Sequence, residues 1–176
     1  MFRIAAAAAL SLAASDCARA EDSAWEPAKV GMIECFAADL DNKTCQGMTA
    51  YQWKDGDNVI GSARFYNEAA VPGAVITTRW PATIKGNRNC SMITQDYAMT
   101  ATFEEAGKPV SEEKTMKYRK ILAASLREIT GKTVCARIGK YGRDYTVQIT
   151  VDGREMPSSS NWLAFVDKNA GFTLKP

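Results

Sequence analysis

SEEKTMKYRKILAASLREIT, residues 111–130, is the stretch on which the fold class rests, because it alone carries a sustained helical period. Ser111 can cap a first turn, Glu112 and Glu113 suit the positive end of a helix, and Gly131 stands where a helix would stop. Tyr118, Ile121, Leu122, Leu126 and Ile129 recur at spacings of three and four, while Lys117, Arg119, Lys120, Arg127 and Glu128 spread over the remainder. The pattern predicts an amphipathic helix over 112–130 that packs its apolar stripe on a sheet.

Strand signals lie on both sides of it. Residues 21–27 read as an extended lead-in, since Pro27 disfavours helix at the residue before it. Val30, Met32 and Phe36 suggest a strand over 29–37, followed by a polar turn over 39–43. Residues 48–53 and 59–66 are rich in aromatic and branched side chains and flank Asp55-Gly56, which makes them a hairpin. Residues 74–84 form a further strand, in which Pro81 marks an edge or a bulge. Tyr97, Met99, Ala101 and Phe103 alternate with polar residues as a half-buried strand does. After the helix come strands over 133–138 and 145–151, a reversal at Asp152-Gly153, a polar loop over 156–160, and a last pair from 162–166 and 172–174. This order predicts an α+β domain: a mainly antiparallel sheet, one long amphipathic helix packed on one face, and two disulfides stapling the whole.

The disulfides follow from the compartment. Residues 1–20 have a short basic start, an apolar run from Ile4 to Ala14, and Ala18-Arg19-Ala20 before Glu21, which together read as a cleaved secretory signal peptide. Asp16 stands where a lipidation signal needs a small residue before Cys17, so cleavage without a lipid anchor is expected. Residues 21–176 are then a single mature globular domain of ordinary size. Cys35, Cys45, Cys90 and Cys135 remain, and their even number in an exported chain implies a disulfide framework with three possible pairings. The pairing expected is Cys35 with Cys45 and Cys90 with Cys135. A four-cysteine zinc site is the rival, opposed by the lack of any close Cys-x-x-Cys pair. Neither metal nor cofactor is expected.

Charge and residue types narrow the function. A formal net charge of +2 over 176 residues gives no concentrated basic field, which speaks against nucleic acid as a partner. No second apolar run of membrane-spanning length follows the signal, so no integral membrane anchor is expected. The chain has no histidine, which removes the commonest general base and the partner of a catalytic serine. Carboxylate chemistry stays open through Asp39 with Asp41, Glu104 with Glu105, or Glu112 with Glu113. Adjacent strand residues point to opposite faces, however, and the last pair is explained by its place at a helix start. Ser158 to Ser160 carry no nucleophile motif.

Binding has stronger candidates. Tyr51 and Trp53 share a strand face, with Phe65 and Trp80 on neighbouring strands, and such rings form a platform for a sugar or a partner's apolar surface if they are exposed. Arg64 and Arg79 would add directional hydrogen bonds. Gly139-Lys-Tyr-Gly-Arg143 presents Tyr141 and Arg143 on a basic loop. The expectation is a non-catalytic envelope protein, in the periplasm or secreted, that binds another protein or a glycan; inhibition of a foreign hydrolase is one form. A small carboxylate-dependent hydrolase or lyase is the alternative, with two carboxylates converging in a cleft. A carrier of small apolar ligands is the third, with an unfilled cavity as its mark.

Overall fold

A computed structural model describes residues 24–142, 144–156 and 161–175. Residues 1–20, where a signal peptide is expected, Arg143 and Ser158 to Ser160 lie outside the described residues.

The chain opens with a single helical turn, α1 (Glu26–Lys29), then runs through β1 (Ile33–Phe36), β2 (Thr44–Cys45), β3 (Gly47–Trp53), β4 (Asn58–Tyr66), β5 (Ala74–Lys85) and β6 (Arg88–Met92). An excursion follows, made of α2 (Gln95–Met99), β7 (Thr102–Glu105), β8 (Lys108–Pro109) and α3 (Glu112–Ser125). The chain returns through β9 (Thr133–Tyr141), β10 (Asp144–Val151), β11 (Arg154–Glu155), β12 (Asn161–Val166) and β13 (Thr173–Leu174).

Eight of these strands close on themselves. Each of β3, β4, β5, β6, β9, β10 and β12 pairs antiparallel with the next, and β12 and β3 both pair with β1, which completes the ring. The expected α+β fold is thereby corrected to a closed up-and-down antiparallel barrel with three further strands attached to its sheet. Closure leaves β1 with a partner on both edges, so neither terminal barrel strand offers a free row of amides to another chain. Tight reversals make the meander possible: Gly56 and Gly86 take backbone φ of 52° and 59° at the β3–β4 and β5–β6 turns, a region costly for other residues.

The helix that motivated the mixed fold is shorter than expected and sits elsewhere. Ser111 Oγ accepts from the Lys114 amide at 3.3 Å, so the start is capped as read. The helix ends at Ser125, not Thr130, where Ser125 Oγ donates to the Leu122 carbonyl at 2.8 Å and competes with the backbone ladder. Its Leu122 packs with Val71, Ala74, Ile76, Ala98, Ala101 and Phe103 in a cluster between α2, α3 and the first half of β5, so no long helix lies across a sheet face. That half of β5 pairs with β7 through Ala74–Thr77, whereas its far end pairs with β6 through Thr83–Lys85. Pro81 falls between the two ladders and pairs with Ile60 of β4 on its other side, the edge-like position its missing amide requires.

Two local readings change for clear reasons. Residues 95–99 are helix, and the strand begins only at Thr102: the buried residues are Ala98 and Ala101, three apart, while Met99 is exposed. Pro27 occupies the first turn of α1, where its absent amide has no helical partner to lose, so the described part of the lead-in, from residue 24, enters a helical turn and is not extended.

Register fixes which side chains face inward. One ring joins Glu34, Thr49, Ala63 and Thr78, a second Tyr51, Gly61 and Trp80, and a third Trp53, Val59 and Ala82. Outward positions between them hold Gln52, Arg64 and Arg79, all exposed, an arrangement opposite to that of a barrel whose outer face meets lipid. No helix among the described residues is long and apolar enough to cross a membrane. Trp25, fully buried, enters the lumen core from α1 with its ring edge-on to Tyr51 and Phe165 at 5.4 and 5.9 Å.

Both disulfides form as paired in the sequence reading. Cys35–Cys45 ties β1 to β2 over a small outer cluster with Ala164 and Val166, and Cys90–Cys135 joins directly opposed residues of β6 and β9. Two such bonds fit an oxidising, extracellular compartment.

Candidate functional site: a half-buried carboxyl beside an open cleft

Glu34 stands on the inward face of β1, where alternation places it between Cys35 and Ile33 on the outside and two positions from Phe36 on the same side. Tyr51, on the inward face of β3, donates its hydroxyl hydrogen to Glu34 Oε2 at 2.6 Å. The same hydroxyl accepts from Asn89 Nδ2 of β6 at 3.0 Å, and Asn89 is itself buried. Three strands therefore contribute one polar chain inside a largely apolar barrel.

The electrostatics follow from that setting. Burial raises the Glu34 carboxyl from an ordinary 4.5 to about 7, and the Tyr51 hydrogen bond pulls the other way. Burial first, then the Glu34 charge and its hydrogen bond, push the Tyr51 phenol well above 10. Among the described residues no lysine or arginine pairs with Glu34, and no hydrogen bond reaches Oε1.

An open cleft of about 350 Å³ at one end of the barrel is lined by Glu34, Phe36, Gln46, Gly47, Thr49, Phe65 and Tyr97, among others. Glu34 is half-buried, packed between strands on one side and bordering this cleft on the other. A Cβ at Gly47 would make ordinary contacts with the Cβ atoms of Phe65 and Phe36 at 3.5 and 3.7 Å, which places this residue between the two rings' strands. Tyr97 reaches in from α2 with its phenol raised by burial and its ring 5.6 Å from Trp80. A second cavity of about 400 Å³ shares Gln46, Phe65 and Tyr66 with the first and runs on to Glu68 and Lys175.

The binding residues read from sequence divide between inside and outside. Tyr51, Trp53, Phe65 and Trp80 share a face as read, and that face is the lumen, so they form no exposed platform. Trp53 lies beneath Lys29, whose Nζ is 5.6 Å from the ring, and its indole N–H finds no acceptor among the described residues. Arg64 is outside, bonded to Glu104 at 2.9 Å, and Arg79 is exposed opposite Ser62. Tyr141 is exposed at the end of β9 and rests edge-on against exposed Trp162 at 5.5 Å.

The carboxylate pairs are accounted for structurally. Asp39 accepts from the Asn42 amide and side chain at 3.0 and 2.8 Å, a self-contained turn that holds its carboxyl below the usual range. Glu105 is held by Lys114 and Tyr118, whose hydrogen bonds lower it. None of these groups lines the Glu34 cavity. Glu34 escaped the sequence reading although its signal was present: Val30, Met32 and Phe36 occupy alternate positions of one predicted strand, and Glu34 is the single charge at that parity.

Among known proteins, no family model, curated sequence or solved structure matches the chain.

Proposed function

We propose that this chain is an exported binding protein, periplasmic or secreted, that takes one small organic molecule into its barrel at Glu34. The observation that carries the reading is a half-buried carboxyl with one oxygen free of hydrogen bonds among the described residues, its other oxygen held by Tyr51, which Asn89 orients, beside an open cleft of about 350 Å³. Small-molecule sites are typically concave, mostly apolar and fitted with a few placed polar groups, and an eight-stranded barrel is just wide enough for one such ligand. The cavity fits this description through Phe36, Phe65 and Tyr97 for contact and Glu34 for orientation. A single raised carboxyl without a second carboxylate beside it favours binding over two-carboxylate hydrolysis.

Amide and side-chain chemical shifts recorded against a library of small aromatic fragments test the proposal. Shifts clustered on Phe36, Thr49, Phe65 and Tyr97, and lost when Thr49→Phe fills the cavity, are the expected result. Shifts confined to the outer surface would contradict it.

A second reading rests on the exposed Tyr141–Trp162 pair, which borders a cavity of about 330 Å³ lined by Trp162, Leu40 and Asp144. Paired exposed rings beside a carboxylate suit a protein or glycan surface. Under this reading Tyr141→Ala abolishes capture of an envelope glycan while Thr49→Phe leaves it intact.

A further inference from the structure

Taking the lumen reading as its basis, the geometry points to a ligand that carries a positively charged nitrogen, an ammonium or amidinium group on a small apolar body, seated with the cation between Glu34 Oε1 and the aromatic walls. Three features converge on this chemistry. Glu34 is half-buried, borders the open cleft and has no cationic partner among the described residues, so no charge of the chain itself is set against it there. Its Oε2 is already taken by the Tyr51 hydroxyl, while Oε1 carries no hydrogen bond among the described residues and has acceptor capacity left for a ligand. Phe36, Phe65, Tyr66 and Tyr97 line the same cavity and present the ring faces or edges that an enclosed carboxyl alone does not explain. Aromatic rings attract a cation through their quadrupole, most strongly where water is excluded.

An anionic ligand is disfavoured by the same arrangement, because it would set two like charges together. A neutral donor would satisfy Oε1 but bring no opposite charge to the carboxylate. Tyr51 of β3 bonds Glu34, and Tyr66 of β4 and Tyr97 of α2 line the cleft with it; no second carboxyl, lysine or arginine is among the residues lining it. Binding a cation then stabilises the ionised carboxylate and releases its proton to solvent.

A matched set of probes separates this inference from the reading beneath it: 2-phenylethylammonium, 2-phenylethanol and phenylacetate, titrated calorimetrically into the oxidised protein near neutral pH. The ammonium should bind at least about tenfold more tightly than the alcohol, with phenylacetate weakest. Its binding should release protons, seen as a heat that depends on the ionisation enthalpy of the buffer. Glu34→Gln keeps an acceptor for Tyr51, and should erase both the ammonium preference over the alcohol and the proton release. Equal affinity for all three probes, or an ammonium preference unchanged in Glu34→Gln, overturns the cation site and leaves small-ligand binding standing. Binding of none of the three overturns both.

Discussion

Burial and the Tyr51 hydrogen bond act on Glu34 in opposite directions, and burial wins, which sets its midpoint at about 7 against an ordinary 4.5. Between those values the folded chain holds a proton that the unfolded chain has released. The Glu34 contribution to stability is therefore fully present below pH 4.5 and is lost as pH rises through 7. At roughly 1.4 kcal/mol per unit, the loss approaches about 3 kcal/mol. Urea unfolding at mildly acidic and mildly alkaline pH should show this fall in the parent chain and not in Glu34→Gln, which should be the more stable of the two above neutrality. Identical pH profiles would mean that Glu34 titrates as an exposed acid. Gly61 makes a separate claim: a Cβ there would lie 2.7 Å from two atoms of the Trp80 ring. Gly61→Ala should cost about 1–3 kcal/mol by forcing that ring aside, and near-ultraviolet circular dichroism should report the displacement.

At the scale of elements, the sequence was most legible where chemistry is local. Asp55-Gly56 marked the β3–β4 hairpin, alternation marked β10, and Ser111 marked the start of α3. Ends and short pieces were less legible, because they depend on what they pack against. Alternation at 97–103 fitted a strand until Ala98 and Ala101 were buried by α3, and the stripe through Ile129 outlasted the helix because Leu126 to Lys132 continue as separate turns. The cysteine pairing, one of three, matched because Cys90 and Cys135 belong to strands that become neighbours. Replacing both members of Cys90–Cys135 with alanine should cost about 4 kcal/mol and the same change at Cys35–Cys45 about 3, since the loop closed is longer in the first. Chemical denaturation ranks them. A larger loss at the shorter loop would locate the stabilisation in the cluster with Ala164 and Val166 and not in chain entropy.

For the whole molecule, the barrel was hidden for a general reason. Alternation assigns residues to a face but is silent on whether a sheet bends round to meet itself, so Tyr51, Trp53 and Trp80 read equally as platform or core. The pairing of β12 with β1 settles the matter, since it turns one face of every strand inward and encloses Glu34 opposite Phe165. Trp25 completes the enclosure from α1, and Trp25→Ala should cost about 3–5 kcal/mol in urea and admit water toward Tyr51. The raised Glu34 carboxyl is thus a property of closure: in an open sheet β1 would be an edge strand and the carboxyl would meet solvent. The most direct test is a carbon-13 NMR titration of the Glu34 carboxyl in the oxidised, ligand-free protein. A midpoint near 7 is the result the closed, ligand-receptive barrel predicts. A midpoint near 4.5 would place Glu34 in water and contradict both the enclosure and the site built on it.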